Sequence, residues 1–310
     1  MSQVDVSLKP RIRRRSAFEY VAWAVCSLLG AGVLYSVATN PNFKWEVVAQ
    51  YFTQETILRG LMVTIMLTVV SMVLGTLLGL GLAIMRASSL KPIAATAGVY
   101  ITFFRGTPVL VQLIFWFNIA ALYPNLTIGI PFTDVQQAID VNALMAPITA
   151  AIIGLTLNEA AYMAEIIRGG FSSVAKGQIE AADSLGMSGA TKMRKIIIPQ
   201  AMPSIIPATG NQVIGMFKET SLVSVLGVAE LLQSAQLIYA RTYETIPLLI
   251  VASLWYLVMT LILSYPQSLL EKKYSHSSTV LPRKAKRVVL AEPADVTEPV
   301  VLTDPEGIAR

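Results

Sequence analysis

Leu58 to Met85 runs for 28 residues with one charged side chain, Arg59. A run of that length and character is what a helix needs to cross a bilayer, whose hydrocarbon takes about 20 mainly apolar residues. Six such stretches occur, roughly Ala17 to Ala38, Leu58 to Met85, Ile93 to Leu122, Ala143 to Arg168, Met202 to Leu232 and Ile246 to Leu270. They predict an all-α integral membrane protein with about six spans. The composition agrees, since 14% of the residues are charged, against about 25% in a soluble domain. The third stretch is interrupted by "FFRGTPVL", where Gly106 and Pro108 are expected to break the helix. The fifth contains Pro203, Pro207, Gly210 and "FKETS". It is expected to cross once and then turn along the outer surface.

Lysines and arginines orient the spans. With six crossings, 19 of the 24 basic residues fall on one side, which is expected to be the cytoplasm. They include Arg11 to Arg15 in the basic segment 1–16, Arg86 and Lys91, Lys192 to Lys195, and Lys272 onwards. Both termini are then cytoplasmic. The segment 276–310, punctuated by four prolines, is expected to be a disordered cytoplasmic tail. The first stretch, 17–38, also fits a cleavable signal peptide, with a basic start and a Ser-x-Ala ending at Ala38. Its apolar part is long for that, and a retained span is the favoured reading.

Several chemistries are excluded. Cys26 is the only cysteine and His276 the only histidine, so a disulfide framework, a Cys/His metal site and histidine-based catalysis have no residues to use. No Gly-Lys pair exists to form a nucleotide-binding phosphate loop. No catalytic residue, cofactor or metal is expected. The net charge of +5 gathers beside apolar blocks, which argues for lipid surfaces and against nucleic acid.

Within the spans, polar residues fall on defined faces. Thr64, Thr68, Ser71, Gly75 and Gly79 recur at intervals of four, three, four and four, a face suited to close helix packing in lipid. Pro147, Ala151, Gly154, Asn158, Ala161, Glu165 and Arg168 share another that becomes more polar towards the cytoplasm, with Glu159 beside it. A carboxylate inside a span costs about 2 to 3 kcal/mol or more and faces protein or a water-filled cavity with a partner. Asn158, Glu159 and Glu165 are therefore candidates for a substrate path, with Arg105, Arg168 and Lys218 as countercharges. Lys218 and Glu219 extend the set, at about 22 to 30 Å from the inner surface by helical rise. Together these groups could meet a substrate carrying both an ammonium and a carboxylate. Structural ion pairs, a helix-end cap or a subunit contact would use the same residues.

The least apolar stretch between spans is "GQIEAADSLGMSGATKMRKIIIPQ". Gln178 to Leu185 suits a short helix with Glu180 in its first turn, and Gly186 permits the turn that ends it. Ser188 can cap a second helix, Gly189 to Ile197, and Pro199 is expected to close the unit. Ala181 and Ala182 leave the first helix a bare side, suited to another protein's groove.

Glu180-Ala181-Ala182, Gly186 and Ile196-x-Ile198-Pro199 resemble the EAA motif of ABC importer permeases. With "FFRGTPVLVQL", "LNEAAYMAEIIRGGF" and "FKETSLVSVLGVAEL", the chain is similar to the polar amino-acid, histidine/glutamine/arginine-type branch. The resemblance implies the transmembrane domain of a type I (MetI-like) importer over residues 57–273, set in a bacterial cytoplasmic (inner) membrane. It implies a five-helix core preceded here by an extra helix at 17–38. It further implies that 177–199 is a coupling helix, with Glu180, Ala181, Ala182 and Gly186 contacting a cytoplasmic ABC ATPase subunit. Substrate would come from a separate extracytoplasmic amino-acid-binding protein, and the path would run between two permease subunits, identical or paralogous. An ion-coupled secondary transporter or channel is the alternative, and would call for an inverted repeat with paired broken helices. An export or regulatory module using the same loop is a second.

Overall fold

A computed structural model describes residues 17–129 and 136–275. The expectations for 1–16 and 276–310 lie outside the described residues.

The first helix, α1 (Ala17–Thr39), is apolar apart from Glu19 near its start, and none of its spanning window is buried. Its C-terminal end is tied where the Trp45 indole N–H donates to the Val37 carbonyl at 3.1 Å. The short helix α2 (Trp45–Phe52) then lies against the last helix, α12 (Thr245–Ser275). There the Phe52 and Trp255 rings stack with centroids 4.7 Å apart.

The body is organised on α3 (Glu55–Arg86) and α7 (Pro147–Ser172), its most extensively packed pair. The small-residue face explains why. Thr64, Thr68, Ser71, Gly75 and Gly79 are all buried, and a Cβ on Gly75 or Gly79 would come within 2.7 Å of Glu159 Cγ or Met163 Cβ. The helices approach so closely because those side chains are missing, and in lipid such packing replaces the hydrophobic drive.

The third apolar stretch is two helices, α4 (Lys91–Gly106) and α5 (Val109–Phe117), meeting at 103°. Pro108 sits at the N-cap of α5 with φ −64°, where its missing N–H costs nothing. The break falls where Gly106 and Pro108 predict it. The sequence carries no value for the bend, which the structure sets at 103°.

A two-stranded antiparallel hairpin follows, β1 (Asn125–Gly129) paired with β2 (Gln136–Asp140), with Asn125 opposite Asp140. It is a small departure from an all-helical chain, placed where hydrophobic runs give way to "NLTIG" and "QQAID". The four-residue helix α6 (Val141–Leu144), capped by the Asp140 carboxylate, leads into α7.

Beyond α7 come α8 (Lys176–Ser184) and α9 (Gly189–Lys192), then a π-helical turn over Met193–Ile197, then α10 (Ile198–Glu219). The helical path is therefore unbroken from Gly189 into the span. Pro199 does not close the unit: it lies at the start of α10, directly after the π-helical turn, and the helix runs on through it. Pro203 and Pro207 lie inside the same helix. A 3₁₀ stretch, Thr220–Leu226, and Gly227 at φ 78° lead to α11 (Leu231–Thr242), which is bent 44° from the preceding segment.

Among the described residues α1, α3, α7 and α12 are each long and apolar enough to cross a membrane; counting each bent pair as one span raises the total to six. Two apolar clusters hold the body together. One joins Leu67, Leu113, Leu155, Met163 and Met216 around the α3 and α7 seam. The other joins Ile57, Leu61, Phe217, Leu231 and Leu248 beside α12.

Candidate functional site

Two regions carry the candidate residues. The first is α8. It begins at Lys176, two residues earlier than expected, so Glu180 lies beyond the first turn. Its end is a complete Schellman closure: Gly186, at φ 68°, donates to Asp183 O at 2.9 Å, and Met187 N donates to Ala182 O at 3.1 Å. Glycine is required at that left-handed position. Ser188 caps α9, accepting from Thr191 N, and Lys192 pairs with Asp183 at 2.5 Å. The two short helices thus brace each other.

Ile179 packs into a small apolar cluster with Val174, Met193, Ile197 and Ala201 at the base of α10. The face of α8 turned inward includes Ala182, which is buried, whereas Glu180 and Ala181 are exposed. The bare side expected of both alanines is therefore formed by Ala181 alone, because helical periodicity turns adjacent residues about 100° apart. Leu185, missed by the sequence reading, is 81% exposed at the tip.

The second region is the polar interior. Glu165 receives two hydrogen bonds from Arg168, from Nε at 3.0 Å and Nη2 at 2.6 Å. Arg105 Nη1 lies 3.7 Å from the same carboxylate, and its guanidinium sits 5.3 Å from the Tyr162 ring centroid. These groups line a cleft of 710 Å³ together with Arg86 and Thr102. Of the three expected countercharges, Arg105 and Arg168 serve Glu165, and Lys218 does not.

Glu159 is different. It is fully buried against Gly75 on α3 and accepts one hydrogen bond, from Gln212 Nε2 at 3.0 Å. Lys218 is exposed and Glu219 half-buried at the end of α10. No ion pair among the described residues joins either to Glu159 or Glu165.

Asn158 acts on the α4/α5 break. Its Nδ2 donates to Phe104 O at 3.0 Å and to Gln112 Oε1 at 3.1 Å. Gln112 Nε2 in turn donates to Phe104 O, Thr107 O and Thr107 Oγ1 at 2.9, 3.0 and 2.7 Å. A helix that stops leaves its last carbonyls without partners; two buried amides supply the donors. This clamp fixes the backbone from which Arg105 projects. Sequence reasoning missed Gln112, whose only signal was a lone amide in the apolar run "VLVQLIFWF".

It also missed Glu230, fully buried at the N-cap of α11. Its carboxylate accepts from Leu232 N at 3.0 Å, Gln233 N at 2.7 Å and Tyr256 Oη at 2.8 Å. Thr64 Oγ1 lies 3.4 Å away on α3. One side chain therefore joins α3, α11 and α12. An acidic residue directly before an apolar helical run is the signal that could have found it.

The sequence profile described as "Binding-protein-dependent transport system inner membrane component" matches residues 75–276. The arginine transport system permease protein ArgU of Corynebacterium glutamicum is 41% identical over 261 residues, 84% of this chain and 81% of that protein. The probable amino-acid ABC transporter permease protein YckA of Bacillus subtilis is 37% identical over 71% of this chain and 89% of its own length. Among solved structures, a chain of an amino acid ABC transporter crystallised with histidines shares 42% identity at a TM-score of 0.60, covering 70% of this chain and 94% of that one. A chain of the inward-facing MetNI methionine ABC transporter, 17% identical at a TM-score of 0.57, shows the same fold. The profile spans well over half of the chain, the relatives match along most of their length and the helical architecture coincides: the chain belongs to the family of binding-protein-dependent transport system inner membrane components, the membrane-embedded permeases of ABC importers.

Proposed function

We propose that this chain is the permease subunit through which polar amino acids enter the cytoplasm, driven by a separate ATPase. Its relatives are permeases of amino-acid transport systems, and arginine, named for the Corynebacterium relative, is the first substrate to test. In this reading the chain lies in a bacterial inner membrane with both termini in the cytoplasm. A second permease subunit completes the path, and an extracytoplasmic binding protein delivers the solute. The Arg105 and Glu165 cleft, with Lys218 and Glu219, contributes to the path, and Asn158 and Glu159 support its walls.

The observation that carries the coupling role is mechanical. Glu180, Ala181 and Leu185 stand exposed on a helix closed by Gly186, braced to α9, and α9 runs without interruption into α10. Ala182 fixes that helix from beneath. A force applied to this knob by a neighbouring motor moves the base of a spanning helix, the rigid connection that alternating access requires.

The test is uptake by the whole assembly. Glu180→Lys reverses a charge on the exposed face, and Gly186→Trp places a bulky residue at a left-handed corner. Each is expected to reduce binding-protein-dependent arginine uptake at least tenfold while the permease remains in the membrane and the ATPase still hydrolyses ATP. Normal uptake by both variants would refute the coupling assignment. The ion-coupled alternative has no observation in its favour, and family membership weighs against it.

A further inference from the structure

Near the inner ends of α3 and α7, where α4 crosses them, three guanidinium groups line one cleft of 710 Å³: Arg86, Arg105 and Arg168. The acidic side chain in that lining is Glu165. Positive charge in the lining is thus in excess by two. The three arginines are not equally engaged. Arg168 gives Glu165 both arms of a bidentate pair, at 3.0 and 2.6 Å. Arg105 stands 3.7 Å from the same carboxylate, beyond hydrogen-bond range, with its side chain 44% exposed. Arg86 uses one N–H on the Ala94 carbonyl at 3.1 Å. A guanidinium carries five donors in a planar fork that matches a carboxylate or phosphate, so most of the donors of Arg105 and Arg86 are uncommitted.

We propose that this cleft is an oxyanion-binding site, held by Arg105 and Arg86, in which Glu165 is the resident carboxylate that an incoming oxyanion competes with. The longer contact, Arg105 to Glu165, is the one exchanged, while the Arg168 pair persists. Two sources carry the required chemistry: the carboxylate of a transported amino acid and the phosphate of a lipid headgroup at the inner leaflet. Recognition of the carboxylate end would suit any amino acid and leave side-chain choice to other groups. The transported-solute source rests on the reading of the chain as an amino-acid permease. The site is held in shape by the clamp at the α4/α5 break, since Arg105 directly follows Phe104, whose carbonyl receives both Gln112 and Asn158.

The test is ligand stabilisation of the purified permease complex, without nucleotide or binding protein, in phosphatidylcholine nanodiscs. N-acetylglycine supplies a carboxylate with no ammonium, N-acetylglycinamide is its neutral control, and inorganic phosphate is the alternative oxyanion. A parallel set of nanodiscs contains phosphatidylglycerol. N-acetylglycine is expected to raise the unfolding midpoint and the amide to leave it unchanged. Arg105→Gln is expected to weaken the apparent affinity about tenfold or more, the loss of a charge-assisted hydrogen bond. Glu165→Gln removes the competitor and is expected to tighten it severalfold, a change of opposite sign that a loosened fold does not produce.

Stabilisation by phosphate or phosphatidylglycerol alone, abolished by Arg105→Gln, would support the oxyanion site and assign it to lipid. No Arg105-dependent effect of any oxyanion would overturn the proposal. Should Arg105→Gln fail to fold, unchanged or weaker binding by Glu165→Gln overturns it. Because no ATPase cycle enters the measurement, its failure and the failure of the coupling assignment are separately visible.

Discussion

Glu230 shows how one side chain can hold an intramembrane corner. An unpaired carboxylate in a low-dielectric interior is among the costliest groups a protein can bury, yet this one is surrounded by donors from α11, Tyr256 and Thr64. Removing it leaves those donors facing nothing. Glu230→Ala is expected to destabilise the protein by about 3 kcal/mol, a lost cap compounded by newly unsatisfied buried groups. Glu230→Gln, which keeps an acceptor oxygen, should cost less than half as much. Denaturation in detergent, following helix signal against temperature, distinguishes the two; equal losses would show that shape rather than hydrogen bonding matters there. The glycines on α3 offer a paired test. A side chain on Gly79 meets Met163 and the backbone at Ala160, whereas Gly81 has open space around its Cβ position. Gly79→Leu is therefore expected to abolish folded protein or lower its midpoint by many degrees, and Gly81→Leu to be nearly neutral. This difference was legible in the chain, because intervals of three and four place residues on one helical face. The role of Glu230 was not, because its partners are 166 and 26 residues away.

At the scale of elements, the α4/α5 break illustrates what a proline and glycine can and cannot announce. They stop a helix; they do not say where the chain goes next. The 103° turn is kept by the Gln112 and Asn158 amides, which satisfy the carbonyls that the break exposes. Gln112→Leu roughly preserves volume but removes both donors, and is expected to cost about 2 kcal/mol or more. Gln112→Glu, unable to donate when ionised, should be at least as damaging. The readout is again the unfolding midpoint, and a neutral Gln112→Leu would show that packing alone sets the bend. The unit at α8 to α10 teaches the complementary lesson. The Gly186 stop and the Ser188 cap are local devices and were readable as such. The continuity of α9 with α10 was hidden by Pro199, since a proline in the first turn of a helix looks in sequence like one that ends the helix before it.

Over the whole molecule, α1 stands apart from a body built on α3 and α7. None of its spanning window is buried, and the Trp45 hydrogen bond to Val37 anchors its C-terminal end. Removing residues 1–39 is expected to leave the unfolding midpoint of the remainder within about 2 °C, because a helix that buries no area on the body contributes little to its stability. A fall of several degrees would show that α1 packs on the body in the membrane. The cleft and the knob on α8 belong to different parts of the chain and are joined through α10 and α7, which pack on each other.

From its residues alone the chain determined that it spans a membrane, which small-residue face of α3 packs, and that helices stop at Gly106 to Pro108 and at Gly186. All of these follow from hydropathy and from contacts within a turn or two, whose geometry the backbone dictates. Only the tertiary structure decided which charged groups meet. It gave Arg105 and Arg168 to Glu165 and left Glu159 with Gln212, turned Ala182 inward, and made Asn158 a clamp on a distant backbone. The reason is that pairing across helices depends on their rotation and crossing angle, which the collective packing of side chains far apart in sequence sets and no local pattern encodes.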